Sequence, residues 1–258
     1  MKYAFLLRDL DESLNVKKYI EEKIKLEYDE KTPDIVIAIG GDGTILNAVH
    51  KYPDAIVFGI HTGHLGFFAN YDMNEIDTLI DDINYNRYKV DLLDTIECNF
   101  YDKNGKKYTD FALNEVTIVS PLRTLRLDVS VNDEFIESFR GTGFCVSTPY
   151  GSTAYNKSLH GSVVDTTLKV MQLTEIASIN SNAYRTLSSP LILSSERVLK
   201  FKAKNETKVF ITFDHLSYDL DNFDNIDIFY KKDRIKLAYN TQKSFLNRIN
   251  RTFLISKE

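Results

Sequence analysis

The chain has 258 residues, 43% of them hydrophobic and 27% charged, which is the composition of a globular protein with a substantial core. A net charge of -5 provides no positive field to attract nucleic acid or anionic lipid, so we expect neither as a partner. The two cysteines, Cys98 and Cys145, are too few for a disulfide scaffold in a chain of this length and indicate a reducing compartment.

The first part of the chain alternates strand-like apolar runs with segments of helical periodicity. Strands are predicted over 2–7, 34–39 and 55–60, and helices over 12–26, 44–50 and 74–83. The run over 34–39 is unbroken, rich in β-branched residues and followed by glycines, which is typical of a strand buried on both faces. Strands that alternate with helices predict an α/β domain with a parallel sheet over residues 1–88.

Beyond residue 88 the pattern becomes mainly β. Alternating residues over 89–101 and 107–119 flank an Asn104-Gly105 turn, which predicts a β-hairpin. Further strands are predicted over 125–131, 198–201, 208–213, 226–230 and 235–239. A helix is predicted over 166–179 from the apolar stripe Leu168, Met171, Leu173 and Ile176. We therefore expect a largely β domain over 89–239, and a closing segment at 240–258, helical over 245–255, that packs back on the first domain.

No targeting or membrane-spanning segment is predicted. The start of the chain carries Lys2, Arg8 and Asp9 and lacks the apolar core of a signal peptide. No apolar run reaches the length of a transmembrane helix. We therefore expect a cytoplasmic protein.

The loop Gly40-Gly41-Asp42-Gly43-Thr44 joins a predicted buried strand to a predicted helix. Such glycine loops bind phosphate, since the backbone can approach closely and the helix start offers free N–H groups. The Gly-Lys-Ser/Thr of nucleoside triphosphatases is missing, and Leu46 stands where the dinucleotide fingerprint needs its third glycine. Asp42 therefore either binds Mg²⁺, or accepts a proton or hydrogen bond from a hydroxyl, or only caps the helix.

Three further clusters are candidates for a site. The hydroxyl-rich stretch 147–158 offers groups for ribose and phosphate, although such stretches are also common in plain turns. Asn114-Glu115 interrupts an apolar strand, so either an internal network or a ligand must satisfy these polar groups. His61 and His64 lack two further zinc ligands nearby, which favours a structural role.

Together these stretches resemble the bacterial NAD kinases. The similarity runs in order through 40–44, 61–67, 113–115 and 139–158, continues through 171–180 and 213–215, and covers nearly the whole chain. Gly-Gly-Asp-Gly alone also occurs in diacylglycerol kinases, sphingosine kinases and phosphofructokinases. The Asn-Glu pair and the Ser-Thr-Pro-x-Gly-Ser-Thr-Ala-Tyr-Asn segment are far more specific.

The resemblance implies the NAD kinase/diacylglycerol kinase-like fold and phosphorylation of the 2′-hydroxyl of the adenosine ribose of NAD by ATP or polyphosphate. Asp42 would be the catalytic residue at that hydroxyl, and a divalent metal, Mg²⁺, would screen the triphosphate, with no side chain predicted as a metal ligand. The phosphate loop would consist of Gly40, Gly41, Gly43 and Thr44. The NAD site would consist of Asp42, Gly43, Phe67, Asn114, Glu115, Arg140, Thr142, Tyr150, Thr153, Ala154, Tyr155, Asn156, Lys157, Ser158, Ala177, Ile179 and His215.

The resemblance also implies a homotetramer with shared active sites, in which Arg140, Ala177, Ile179 and His215 act partly across an interface. The chain departs from the family pattern at Thr142, where the family has Asp, and at Tyr150, where it has a small residue. It departs again over 160–164, where relatives are glycine-rich and then carry His-Pro. Two alternatives stay open: a non-catalytic or weakly active nucleotide-binding regulator and, with less support, a lipid kinase of the same superfamily.

Overall fold

The computed structural model describes residues 1–8, 11–63, 66–102, 104–204, 208–221, 223–241 and 244–255. The chain divides into two compact units: Met1–Leu93 with Asp233–Glu258, called unit 1 here, and Asp94–Lys232, called unit 2. The predicted domain limits were 88 and 239. No helix in the part of the chain that the structure describes is both long enough and apolar enough to cross a membrane.

Unit 1 is built on parallel strands, as its alternating pattern predicts. The elements up to residue 85 are β1 (Lys2–Leu7), α1 (Asp11–Lys23), β2 (Glu27–Tyr28), β3 (Ile35–Gly40), α2 (Asp42–Lys51), β4 (Ile56–His61), β5 (Tyr71–Asp72) and α3 (Ile76–Tyr85). Strand β3 lies between β1 and β4 and runs parallel to both, with Ile37 opposite Phe5 and Phe58. Every residue of β3 is buried, which accounts for its unbroken apolar sequence.

The remaining strands and helices follow in chain order. They are β6 (Lys89–Asp102), β7 (Lys107–Ala112), β8 (Glu115–Val119), β9 (Leu125–Val131), β10 (Glu134–Gly141), β11 (Gly143–Ser147), α4 (Tyr155–Ser158), β12 (Val170–Ile176), β13 (Leu191–Ser194), β14 (Val198–Ala203), β15 (Lys208–Phe213), β16 (Leu216–Asp221), β17 (Phe223–Tyr239) and α5 (Phe245–Ile249). A π-helical turn, Asn250–Leu254, follows α5 directly. In unit 1, β17 pairs in parallel with β4 through Lys236 and Leu237.

Unit 2 is almost entirely antiparallel β structure. One sheet has the strand order β13-β12-β11-β8-β15-β16, and β10, β9, β14 and β17 pair successively in a second. Apolar residues of both sheets share one core, in which Phe144 lies 4.1 Å from Phe139 and 5.1 Å from Phe201, measured between ring centroids. The predicted hairpin is present, since β6 and β7 pair antiparallel up to Tyr101 and Lys107. The predicted fold class, an α/β unit with a parallel sheet followed by a largely β unit, is confirmed.

The prediction of a helix over 166–179 is wrong, because this stretch contains strand β12. Met171 and Leu173 point into the core of unit 2, while Gln172 and Thr174 between them are also buried, at 1% and 3% exposure. Pairing with β11 on one side and β13 on the other outweighs the local helical spacing. Leu168, which completed the apolar stripe, lies outside the strand and is 51% exposed.

Other element predictions need smaller corrections. The extended stretch 107–119 is two strands, interrupted at Leu113 and Asn114, and the strands predicted at 226–230 and 235–239 are parts of β17. Strands β2, β5, β10, β11 and β16 were not predicted. The closing helix begins at Phe245 as predicted, but it changes from α-helical to π-helical geometry at Asn250.

Candidate active site

In unit 1 the glycine loop lies at the end of β3 and opens directly into α2. Gly41 is the N-cap residue of α2 and Asp42 is its first helical residue, so Asp42 is not the cap. Gly40 must be a glycine, because a Cβ there would lie 2.2 Å from Thr44 Oγ1. At Gly41 and Gly43 a Cβ would meet no described atom within 4 Å. The outer side of the loop is therefore open to an approaching phosphate.

The Asp42 carboxylate is held by backbone amides of a segment that follows β4. Its Oδ2 accepts a hydrogen bond from Phe67 N at 2.7 Å, and its Oδ1 accepts one from Phe68 N at 3.1 Å. Gly66 allows this approach, since a Cβ at that position would lie 2.2 Å from Asp42 Oδ1. The carboxylate is thus fixed in orientation while each oxygen keeps a lone pair for another donor.

The same segment, residues 66–70, is bound from its other side by Arg248 of α5. Arg248 Nη1 donates to Gly66 O at 2.7 Å and to Ala69 O at 3.0 Å, and Nη2 donates to Asn70 Oδ1 at 2.6 Å. The side chain of Arg248 is buried, and burial lowers the pKa of its guanidinium, although the Asp42 charge opposes that shift. Sequence reasoning missed Arg248. The available signal was its spacing, since Phe245, Arg248 and Ile249 stand at i, i+3 and i+4 on the less exposed face of α5.

Phe67 and the histidine motif also lie in unit 1. The Phe67 ring lies 6.3 Å from that of Phe245 and 5.8 Å from that of Phe253, between ring centroids. His61 Nδ1 lies 3.2 Å from Gly63 O, and His64 lies outside the described residues. Within the described ranges, no three His, Cys, Asp or Glu side chains are grouped so that they could hold a metal ion.

In unit 2, Glu115 begins β8 and Asn114 directly precedes it, and Asp214 fixes the backbone of both. The Asp214 carboxylate accepts hydrogen bonds from the N–H groups of Leu113, Asn114 and Glu115 at 2.9, 2.8 and 3.2 Å. Asp214 has a left-handed backbone, with φ of 53°. It was not among the predicted site residues, although its neighbour His215 was, and His215 is exposed in the turn between β15 and β16.

The hydroxyl-rich stretch packs against Leu113, Asn114 and Glu115 at the start of β8, a place called the β8 corner here. Thr148 Oγ1 donates to Leu113 O at 2.6 Å, and Thr148 N donates to Asn114 O at 2.9 Å. A Cβ at Gly151 would lie 2.0 Å from Asn114 O, so a glycine is required for this contact. The stretch is therefore built onto the Asn-Glu pair, which brings two of the predicted clusters together.

Several buried polar atoms at this corner have no hydrogen-bond partner among the described residues. They are Glu115 Oε2, Ser147 Oγ and Asn156 Nδ2. Ser147 lies opposite Glu115 in the pairing of β11 with β8, and Asn156 Oδ1 accepts from Thr174 Oγ1 at 2.7 Å. Burial, with a smaller contribution from the Asp214 charge, raises the pKa of Glu115 to about 8. Glu115 is therefore mostly protonated at neutral pH.

The other predicted residues of this stretch, over 150–158, lie beside the β8 corner. Tyr150 and Thr153 are half-buried, and Thr153 Oγ1 donates to Tyr150 O at 3.1 Å. Ala154 precedes α4, in which Asn156 is buried while Tyr155, Lys157 and Ser158 are exposed. The Tyr155 backbone N–H donates to the Glu115 carboxyl.

Three of the four residues expected to act across an interface, Arg140, Ala177 and Ile179, form a second group in unit 2 together with Thr142. Ile179 N donates to Arg140 O at 2.8 Å, and Thr142 N donates to Ile176 O at 3.0 Å, next to Ala177. The Arg140 guanidinium stacks on Tyr184, 3.4 Å from the ring centroid. Arg140, Thr142, Ala177 and Ile179 are thus brought together at the ends of β10 and β12.

Comparison with known proteins gives this arrangement a family. The family model described as the ATP-NAD kinase N-terminal domain matches residues 2–88, and the one described as the ATP-NAD kinase C-terminal domain matches residues 113–233. Among curated relatives, the NAD kinase of Lactobacillus gasseri is 36% identical over 261 residues, covering 98% of each chain. The NAD kinase of Lysinibacillus sphaericus is 38% identical over 264 residues, covering 100% of each chain. The NAD kinase of Latilactobacillus sakei is 40% identical over 237 residues, covering 89% of this chain and 87% of its own.

Two solved structures share the fold at lower identity. Yeast NADH kinase complexed with NADH aligns with a TM-score of 0.83 and 20% identity, covering 100% of this chain and 89% of its own. An NAD kinase from Archaeoglobus fulgidus in complex with ATP aligns with a TM-score of 0.77 and 23% identity, covering 99% of this chain and 100% of its own. The resemblance found in the sequence is confirmed: this chain belongs to the NAD kinase family.

Proposed function

We propose that this member of the NAD kinase family transfers a phosphoryl group from ATP to the 2′-hydroxyl of the adenosine ribose of NAD, with Asp42 at the reacting hydroxyl. The observation that carries the proposal is the Asp42 carboxylate, fixed by Phe67 N and Phe68 N at the mouth of an open glycine loop. A carboxylate held in one orientation accepts the hydrogen bond of the attacking hydroxyl, and then its proton, without first having to rotate into place.

The loop suits the phosphate side of the reaction. Phosphoryl transfer depends mainly on positioning and on neutralising charge, rather than on covalent chemistry by the protein. The amides at the start of α2 favour anions, and the missing side chains at Gly41 and Gly43 leave room for phosphate oxygens.

We propose that ATP enters as its Mg²⁺ complex. Mg²⁺ is usually bound by one or two carboxylates together with substrate phosphates, and it keeps several of its waters. The open loop at Gly41 and Gly43 leaves room for the phosphates of such a complex, whereas Asp42 is assigned to the ribose hydroxyl and no side chain is assigned to the metal. The metal would screen the charge of the triphosphate.

We assign the adenosine of NAD to Asn114 and Glu115. The support is the group of unpartnered buried atoms, Glu115 Oε2 and Ser147 Oγ among them, because a buried polar atom without a partner is costly unless a ligand satisfies it. Ribose hydroxyls and a base amino group supply such partners. Phe67, Thr153, Ala154, Tyr155 and Ser158 are assigned to the same substrate through the family resemblance alone.

A homotetramer with shared sites remains a proposal. Its support is the family resemblance together with the exposure of Ile179, at 44%, beside Arg140. The regulator and the lipid kinase are not favoured, because the curated relatives that match nearly the whole chain are NAD kinases.

The test is the formation of NADP from NAD and Mg-ATP, followed with an NADP-specific dehydrogenase. We expect turnover by the parent protein and a loss of about 10²-fold or more in Asp42→Asn, the usual scale for a positioned acid–base group. Thermal unfolding and NAD binding by calorimetry verify that the variant remains folded and binds. No NADP formation by the parent would refute the proposed reaction, and near-normal turnover by Asp42→Asn would remove Asp42 from the chemistry.

A further inference from the structure

One buried cation of the C-terminal segment, Arg248, binds the segment 66–70 that holds Asp42. Of the lysines and arginines that the structure describes, only Arg248 is buried, at 5% exposure. Burying a guanidinium is costly unless it is paired or fully hydrogen-bonded. Arg248 binds Gly66 O, Ala69 O and Asn70 Oδ1, so all three of these bonds go to one short segment.

The peptide group between Gly66 and Phe67 connects Arg248 to Asp42 directly. Its carbonyl oxygen accepts from Arg248 Nη1 at 2.7 Å, and its N–H donates to Asp42 Oδ2 at 2.7 Å. In a trans peptide the C=O and the N–H point in opposite directions, so the guanidinium, the peptide and the carboxylate form one chain. A cation on the carbonyl polarises the peptide and strengthens its N–H as a donor to the anion at the other end.

Two further contacts fix both ends of this chain. Asn70 accepts from Arg248 through Oδ1 and donates through Nδ2 to Ala238 O at 3.1 Å, which ties the guanidinium to β17. The Phe67 ring contacts Phe245 and Phe253, which lie on either side of Arg248 in the sequence. Helix α5 and the turn after it therefore set both the backbone and the ring of Phe67.

We propose that Arg248 is a positioning residue for phosphoryl transfer, acting on Asp42 through the Gly66–Phe67 peptide. The inference rests on the proposed role of Asp42. Arg248 itself touches no reacting atom in this assignment. Its loss should leave the substrates bound but the carboxylate poorly aligned, and an effect confined to the transition state lowers kcat while KM changes little.

The test compares Arg248→Lys and Arg248→Ala with the parent in steady-state kinetics of the full-length protein. We expect kcat to fall about tenfold or more in Arg248→Ala and less in Arg248→Lys, with KM for NAD and ATP changed by less than about threefold. Arg251→Ala is the matched control, since Arg251 is an exposed arginine in the same segment, and it should keep the parent kcat. If Arg248→Ala does not fold, Arg248→Lys carries the comparison.

A double-mutant cycle separates positioning from general loss of structure. Combined with Asp42→Asn, the Arg248→Lys change should lower the residual turnover no further, because the group it positions is already gone. An equal fold-loss from Arg248→Lys with and without the Asp42→Asn change, a parent-like kcat in both Arg248 variants, or a loss expressed only in KM would overturn the inference. Near-normal turnover by Asp42→Asn alone would instead overturn the proposed role of Asp42.

Discussion

A single methyl group at Gly66 should disable catalysis without opening the fold. The Cβ of Gly66→Ala would lie 2.2 Å from Asp42 Oδ1, 2.5 Å from its Cγ and 2.6 Å from its Oδ2. Those three atoms are the carboxylate itself, so the methyl group cannot be accommodated by rotating a distant part of the side chain. Either the carboxylate or the 66–70 segment must move.

The size of that movement follows from the contact distances. Non-bonded carbon atoms pack at about 3.5–4.0 Å, so a contact of 2.2 Å requires a displacement of roughly 1 Å or more. The hydrogen bond from Phe67 N, now 2.7 Å, would stretch or tilt with it. Misplacing a reacting group by about 1 Å can cost about 10²-fold in rate, and we expect a fall in kcat of that order.

The assay is NADP formation under saturating NAD and Mg-ATP, with thermal unfolding measured in parallel. Gly63→Ala is the matched control, because a Cβ at Gly63 would meet no described atom within 4 Å. The control should keep the parent kcat, and both variants should unfold in one cooperative transition. A folded Gly66→Ala protein with the parent kcat would refute the argument that the carboxylate is held at a fixed position.

Three further predictions involve residues of unit 2. Because the pKa of Glu115 is raised in the folded protein, mainly by burial, its contribution to stability is present below the unfolded pKa of about 4.5 and is lost as pH rises through about 8. Chemical unfolding between pH 5 and 8.5 should therefore show a steeper loss of stability in the parent than in Glu115→Gln, and parallel curves would contradict this. Thr142→Asp should lower the KM for NAD by about tenfold or more with kcat little changed, since a hydrogen bond to a charged group contributes about 1.5–3 kcal/mol; calorimetry that shows no tighter binding in this variant or in Thr142→Asp/Tyr150→Ser would mean that the site takes another ligand. If sites are shared between subunits, mixing Asp42→Asn with Arg140→Ala should restore part of the activity, and no recovery after verified subunit exchange would count against sharing.

The sequence predicts most of unit 1 because its signals there are local. The strand over 34–39 is apolar on both faces, and the structure buries every residue of β3. Glycines mark the end of that strand, and Asp42 stands out among them as the one carboxylate. These features need no knowledge of what lies across the fold.

Strand β12 shows where local signals fail. Its polar residues Gln172 and Thr174 are as inaccessible to solvent as its apolar ones. Their burial is tolerated because Gln172 exchanges hydrogen bonds with the backbone of Ser162 and Thr174 donates to Asn156. The local sequence gives no sign that Gln172 and Thr174 are buried, because their partners lie 10 and 18 residues earlier in the chain. The apolar spacing that remains is compatible with a helix, and only pairing with β11 and β13 decides the structure.

The residues that hold Asp42 are separated from it by still longer stretches of chain, so no local pattern links them to it. Asp42 is fixed at its own end by α2, whose Ile45, Leu46, Ala48 and Val49 are buried. It is fixed at the carboxylate by two amides of the 66–70 segment, and that segment is fixed in turn by Arg248. The two backbone amides orient the carboxylate and leave its remaining lone pairs open to a hydroxyl donor. Arg248 binds the carbonyl oxygen one peptide group away, so it takes up no lone pair of the Asp42 carboxylate.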